Sequence, residues 1–216
     1  MNPEPQPKMI TVLIPAFNEA KTVANVVQVA REAGFLQIFV ISDGSTDQTV
    51  IQAKNAGAKV LELYPNQGKG AAVKAGALQA TSQYLLLLDA DLLKLEVQHL
   101  HAMLEPVQRG QADTTAGLFV GGGAITDFGN RATPQWSGQR LIPRQTILSA
   151  RNLETAGYGI EVAINDQIAL EQLRLEYIDL KGVSQVIKEQ KLGLIAGLAR
   201  RLKMYWQILR YSTSKR

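Results

Sequence analysis

Apolar runs of strand length alternate with helix-patterned segments four times within about ninety residues, and few folds accept that rhythm. Ile10–Ala16 reads as a buried strand that contains Pro15. In Glu19–Ala33, Val23, Val26, Val27 and Ala30 share one helical face, and Gly34 ends the helix. Ile38–Ser42 is a second strand, followed by the loop Asp43-Gly44-Ser45-Thr46-Asp47. Asp47 or Thr46 then caps a helix running to about Ala56. Lys59–Leu63 is a third strand, Gly70–Thr81 a helix, and Tyr84–Leu88 a fourth, continuously apolar strand. This is the signature of a doubly wound parallel sheet, with ligands expected at the carboxyl ends of the strands.

Beyond residue 90 the pattern loosens. Glu96–Gln108 and Gly159–Glu171 read as helices, and Thr114–Val120 and Leu175–Asp179 as strands. Gly121-Gly122-Gly123 opens an irregular stretch to about Gln139, either an acceptor loop or a turn. No internal repeat stands out, and no linker is long enough to separate the chain into a pair of domains.

The chain has 216 residues, and 46% hydrophobic and 19% charged residues suit an ordinary globular domain. A disordered tail protein, a collagen-like repeat and a disulfide mini-protein are excluded. With no cysteine, so are disulfides, zinc–thiolate sites, iron–sulfur clusters and thiol nucleophiles. The start, MNPEPQPKMI, is Pro-rich and polar, unlike a signal peptide, and Tyr84–Leu88 is far too short to span a bilayer. The expectation is a cytoplasmic protein, with peripheral attachment to the cytoplasmic face of a membrane as an option.

The net charge of +4 is unevenly placed. Residues 181–216 hold nine basic side chains against Glu189, a net of +8, and residues 1–180 net −4. Basic residues are not interleaved with aromatics at strand spacing, so nucleic acid is not the expected partner. Within the tail, Ile195, Leu198, Leu202, Tyr205, Trp206 and Leu209 share one helical face, and Arg200, Lys203, Gln207 and Arg210 share the other. Such a basic amphipathic helix suits a membrane interface; the alternative is packing on the body or in a homodimer.

Three polar signals sit just past strand ends: Asn18-Glu19, Asp43-Gly44-Ser45 and Asp89-Ala90-Asp91. Each alone is most simply a turn or a cap, but in a parallel sheet all three emerge at one edge. Asp89 and Asp91, one residue apart, can share a hard divalent cation, Mg2+ or Mn2+, that bridges to a diphosphate. Asp43 suits a buried carboxylate that accepts hydrogen bonds from a nucleobase. Gln67-Gly68-Lys69-Gly70-Ala71-Ala72 is not a dinucleotide fingerprint, because Val73 replaces the last small residue, and no Gly-Lys-Ser/Thr loop is present. Lys69, at a helix start, is placed to approach an anion. Glu161 favours the dipole of its own helix, Asp127 is either a base or a cap, and His99 and His101 read as structural.

Together, Val12-Leu13-Ile14-Pro15-Ala16-Phe17-Asn18-Glu19, Ser42-Asp43-Gly44-Ser45-Thr46-Asp47, the Asn66–Gly76 segment and Asp89-Ala90-Asp91 resemble the family 2 glycosyltransferases of the GT-A fold. Later segments resemble the polyprenyl (dolichyl) phosphate mannosyltransferase branch: Ser137-Gly138-Gln139-Arg140 with Arg144, Gly157-Tyr158-Gly159-Ile160-Glu161, and Lys191-Leu192-Gly193. The resemblance implies an α/β/α sandwich on a mostly parallel sheet, expected over residues 1–190; the amphipathic pattern makes residues 191–216 the basic helix, with 191–211 as the part that would meet a membrane surface. The resemblance places Pro15, Phe17, Asn18, Glu19, Ile41, Asp43, Gly44, Ser45, Lys69, Ala90 and Lys191 about a nucleotide-sugar. Asp89 and Asp91 meet the metal and diphosphate, and Arg131, Ser137, Arg140 and Arg144 meet an acceptor phosphate. Two positions depart from the branch: Leu93 stands where a third metal ligand is frequent, and an Arg near Gly117–Phe119 is missing.

The implied activity is metal-dependent, inverting transfer of a sugar from a nucleotide-diphosphate sugar to a polyprenyl phosphate at a membrane surface. The alternatives are a soluble acceptor, such as a phosphorylated small acid or a sugar, and a non-catalytic nucleotide-sugar-binding module. A phosphate acceptor needs no strong base, whereas a hydroxyl acceptor would need Asp127 or Glu161.

Overall fold

The computed structural model describes residue 6 and residues 9–121, 137–154 and 159–186. Of the expected site residues, Asp127, Arg131 and Lys191 lie outside these, as does the amphipathic tail.

The first half follows the alternation: β1 (Ile10–Ala16), α1 (Val23–Glu32), β2 (Gln37–Asp43), α2 (Thr49–Asn55), β3 (Lys59–Leu63), α3 (Lys69–Gln79) and β4 (Tyr84–Leu87). A short β5 (Leu92–Leu93), α4 (Val97–Gln108) and β6 (Thr114–Val120) come next. Then β7 (Arg140–Pro143) leads directly into α5 (Arg144–Ser149), and α6 (Ile160–Leu170), β8 (Leu175–Lys181) and β9 (Ser184–Gln185) follow. Seven strands form one sheet in the order β3-β2-β1-β4-β7-β6-β8, and β5 and β9 form a separate two-stranded ribbon. All the pairings of the large sheet are parallel except those of β7, which runs against both β4 and β6.

The period-2 pattern of the strands loads both faces of the sheet. Val12 and Ile14 of β1 and Leu86 of β4 pack with Val23, Val26, Val27 and Ala30 of α1, Ala53 of α2 and Leu100, Met103 and Leu104 of α4. Leu13, Leu85 and Leu87, one step out of phase, pack with Ala72, Val73 and Ala77 of α3, Ile147 of α5 and Ile160, Ala163 and Ile164 of α6. The result is a three-layer α/β/α sandwich, as the sequence implies.

Most elements end within a residue or two of expectation, and two differences are larger. Helix α1 starts at Val23 rather than Glu19, because residues 18–20 are bound to the loop after β2 and the start of α2. Asn18, at φ 56, donates its N–H to Ser45 Oγ (3.1 Å) and accepts the Thr46 N–H at its Oδ1 (2.8 Å). The Glu19 N–H goes to Thr49 Oγ1 (2.7 Å). The second difference is β7, a strand that follows directly on the stretch read as irregular.

Candidate donor and acceptor site

Strands β1, β2 and β4 run parallel, so Asn18-Glu19, Asp43 and Asp89 leave the sheet at one edge. Behind this edge the loop after β2 is tightly built. Asp47 accepts the N–H groups of Thr49 (2.9 Å) and Ala20 (3.2 Å). Burial raises the Asp47 pKa, but the hydrogen bonds from Thr49 and Ala20 outweigh it and hold the carboxyl below its ordinary value. Gly44, at φ +74, lies so close to Asn66 that a Cβ there would stand 2.9 Å from its backbone nitrogen.

Asp43 is the buried carboxylate that its sequence suggests, and it is engaged with backbone N–H groups. It is 4% exposed, and its two carboxylate oxygens accept the N–H groups of Gln67 and Gly68, each at 2.7 Å. Asn66 Nδ2 donates to its carbonyl (2.7 Å). The side chain therefore builds the turn that delivers Lys69, the first residue of α3, to the strand edge. Ile41 is wholly buried beneath α3, where a Cβ on Gly76 would come within 2.8 Å of its Cδ1. It supports the edge from the core and is no pocket-lining residue. Phe17 remains 39% exposed.

Asp89 is the hub. Lys69 Nζ lies 2.8 Å from its Oδ1, and the amides of Gln139 (2.8 Å) and Gln185 (2.6 Å) both donate to its Oδ2. The same Lys69 Nζ reaches Oε1 of Glu161, in the first turn of α6, at 2.9 Å. Burial pushes the Lys69 pKa down, but the charges of Asp89 and Glu161 more than reverse this and hold it above the ordinary lysine range. Gly138 lets the β7 approach pass this group: a Cβ there would lie 2.8 Å from Asp89 Oδ2 and 2.9 Å from Lys69 Nζ. Pro15, Lys69, Asp89, Gly138, Arg140 and Glu161 line one pocket at the edge.

The reversed direction of β7 decides the fate of two arginines. Arg140 pairs in register with Leu87, at the carboxyl end of β4, and is fully buried. Its Nε donates to the Ser137 carbonyl (2.8 Å) and its Nη1 to Asn165 Oδ1 (2.7 Å), while Ser137 Oγ donates to the Gly117 carbonyl. Burial lowers the Arg140 pKa, and the nearby Glu161 charge opposes the shift. Arg144 follows Pro143, which pairs with Tyr84 at the other end of β4. Its Nε donates to the Ala77 carbonyl (2.7 Å), so it stands at the amino edge of the sheet and the expected acceptor role is corrected.

Ala90 is buried, and Asp91 is half-buried with its carbonyl accepting the Val186 N–H (3.2 Å). Among the described residues, no group of three Asp, Glu or His side chains gathers for a metal ion. Both histidines have structural partners: His99 Nδ1 accepts the Glu96 N–H in a capping box, and His101 Nε2 meets the Ala33 carbonyl. Among the described residues, no helix is long and apolar enough to cross a membrane.

Residues 11–173 match the profile of glycosyl transferase family 2. The chain belongs to that family. Glycosyltransferase AglJ of Haloferax volcanii is 33% identical over 178 residues, which cover 73% of this chain and 57% of that protein. Dodecaprenyl-phosphate galacturonate synthase of Rhizobium johnstonii is 25% identical over 185 residues, covering 77% and 50%. The family 2 chain thus spans about half the length of these curated relatives. In fold it resembles glucosyl-3-phosphoglycerate synthase of Mycobacterium tuberculosis, solved with Mn2+, UDP-glucose and phosphoglyceric acid. The TM-score is 0.68 at 21% identity, over 90% of this chain and 79% of that one.

Two residues at this edge of the family 2 chain carry no signal of their own in the sequence. Asn165 lies in a segment read only as a helix, and Gln185 lies 96 residues from the Asp89 it touches, with no local motif to mark it.

Proposed function

We propose that this chain transfers a sugar from a nucleoside-diphosphate sugar to a phosphate-bearing acceptor, with inversion at the anomeric carbon. The observation that carries the reading is the alternation of charge in one pocket: Asp89 and Glu161 with Lys69 between them, and Arg140 buried behind. A site that splits a diphosphate from a sugar needs cations for the departing charge and carboxylates to hold a metal.

The residues fit a divalent cation of the Mg2+ or Mn2+ class. Such an ion takes oxygen ligands, commonly one or two carboxylates together with substrate phosphates. Asp89 already gathers an ammonium and two amides, donors that stand where a cation could act. Asp91, with Asp89 beside it, would hold the ion. When bound, the ion would neutralise the departing diphosphate and orient it.

The protein groups divide the remaining work. The nucleoside would lie along Phe17, Asn18, Glu19 and the 43–45 loop, with Asp43 acting through the turn it builds. Lys69 would place a positive charge beside the phosphates. Ser137 and Gly138, braced by Arg140, would form the acceptor side. The pairing of Glu161 with Lys69 argues against Glu161 as a base, which suits an acceptor whose oxygen is already anionic. The names of the Rhizobium and Mycobacterium proteins include a lipid phosphate and a phosphorylated acid, so phosphate is the shared acceptor chemistry. The lipid version favours residues 191–211 on a membrane surface.

The test is transfer from UDP-glucose and other nucleotide-sugars, with Mg2+ or Mn2+, to dodecaprenyl phosphate or to 3-phosphoglycerate. Product with either acceptor, lost in Asp91→Asn at unchanged thermal stability, is the expected result. Turnover of the first acceptor, together with vesicle binding that needs residues 191–216, selects the lipid version. Absence of both transfer and nucleotide-sugar hydrolysis would overturn the enzyme reading in favour of a binding module.

A further inference from the structure

The ribbon of β5 and β9 is too small to stabilise a fold, yet it stands directly on the Asp89-Ala90-Asp91 step. Leu92 pairs with Gln185 and Leu93 with Ser184, and the Val186 N–H bonds the carbonyl of Asp91. The backbone at 185–186 is therefore stapled to the acidic step itself. The Gln185 side chain turns toward Asp89, with its amide nitrogen 2.6 Å from Oδ2.

Resting on the reading above, we propose that Gln185 is a metal ligand of the donor site, binding the divalent cation through its side-chain amide oxygen beside Asp89 and Asp91.

Three features support this. First, hard cations accept Gln carbonyl oxygens alongside carboxylates, and adjacent oxygens around an octahedral Mg2+ lie about 3 Å apart. The end of the Gln185 amide already stands near that spacing from Asp89 Oδ2. An amide also carries a donor and an acceptor on one pivot. It can donate to a bare carboxylate and, after a half-turn, present oxygen to a cation.

Second, the neighbouring Gln139, which donates to the same carboxylate, is sealed in place. It is 1% exposed, packed in the interior with its amide nitrogen on Asp89 Oδ2 (2.8 Å), where it has little room to turn. Gln185 is half-buried, at the rim of the same carboxylate. Third, the residues that follow the acidic step, Leu92 and Leu93, offer no side-chain oxygen, and among the described residues no group of three acids or histidines gathers for a metal ion. A neutral ligand also adds no charge beside Asp89, Asp91 and Glu161.

The experiment measures Mn2+ binding to the full chain in the presence of UDP, by electron paramagnetic resonance of the free ion. Wild type is compared with Gln185→Leu, Gln185→Glu and Asp91→Asn, each checked for an unchanged unfolding midpoint. Gln185→Leu is expected to weaken Mn2+ on the order of tenfold or more. Gln185→Glu keeps a ligating oxygen and is expected to stay near wild type. A Gln185→Leu protein that binds Mn2+ as wild type does overturns the proposal. So does a Gln185→Glu protein no stronger than Gln185→Leu: neither side chain can donate to Asp89, so equal losses would mark a hydrogen-bond donor and no ligand. Failure of the wild type itself to bind Mn2+ with UDP would bring down the donor-site reading as a whole, a result distinct from either of these.

Discussion

Arg140 and Arg144 bracket a single four-residue strand, and they meet opposite fates. Arg140 is sealed into the carboxyl edge, where it braces Ser137 and Asn165 behind Glu161. Arg144, about 13 Å along the strand, closes on one backbone carbonyl of α3 at the amino edge. The same contrast holds for the two edges as wholes. At the carboxyl edge Lys69, Asp89 and Glu161 share one web that reaches into the interior. At the amino edge Asp113 and Arg174 form a self-contained surface pair, with Arg174 also held by the Gly110 carbonyl. Charge placed at strand ends becomes a site where loops from several strands converge, and stays a local brace where they do not.

The sharpest way to break this comparison is to remove each arginine's charge. Arg140→Met forfeits two charge-assisted hydrogen bonds and strands the Ser137 carbonyl and Asn165 inside, so it should cost about 3 kcal/mol. Arg144→Met loses its bond to Ala77 and should cost about 1 kcal/mol. Urea unfolding midpoints measure both, and equal losses would erase the difference between the edges.

Next in size is a change that strikes the site more than the fold. In Gly138→Ala the new Cβ meets Asp89 Oδ2 and Lys69 Nζ, both at the ends of side chains that can give way. Stability should fall by no more than about 1 kcal/mol. UDP affinity in the presence of Mn2+ should fall markedly, because the Asp89–Lys69 pair has moved. Calorimetry with UDP and Mn2+ reads this directly, and unchanged affinity would show that the web is only a structural brace.

The carboxyl edge is largely legible in the sequence. Ile10–Ala16, Lys59–Leu63 and Thr114–Val120 are readable as strands to the residue, because each is a short segment rich in apolar or β-branched residues between helix-patterned or polar segments. The parallel alternation then places Asn18, Asp43 and Asp89 together. What stays hidden is β7, since Arg140-Leu141-Ile142-Pro143 offers only two apolar residues between a charge and a proline. Without β7 its reversed direction is invisible, and Arg140 and Arg144 look equivalent. Gln185 is hidden for a similar reason: a two-residue strand carries no periodicity, and its partner is remote in sequence. Asp43 falls at the right edge, but its neighbours are not foreseeable, because backbone N–H groups leave no mark in a sequence.

A smaller effect separates the edges by pH. The Lys69 pKa is raised above the ordinary 10.5 by Asp89 and Glu161, against burial. The stability this contributes is full below 10.5 and is lost as pH rises through the folded-state value. Lys69→Met removes the contribution at every pH. Thermal midpoints of wild type and variant should therefore differ most at neutral pH and begin to converge above about pH 10.5. A gap that stays constant into that range would mean that Lys69 acts through packing alone.

The smallest expected change is at the amino edge, and it runs in the opposite direction. The Arg174 side chain holds the Asp113 carboxyl below its ordinary 3.8, outweighing a burial effect that raises it. A depressed carboxyl contributes stability above 3.8 that is lost as pH falls through the folded-state value. Asp113→Asn should thus be slightly less stable than wild type at pH 7 and should match it in strong acid. The Arg174 partner is solvent-exposed, so added salt should shrink the neutral-pH gap as well. The Lys69 web, drawn into a pocket, should respond much less to the same salt. Equal salt sensitivity of Asp113→Asn and Lys69→Met would show that solvent screens the two edges alike, and that the carboxyl edge lacks the shielded field on which its chemistry depends.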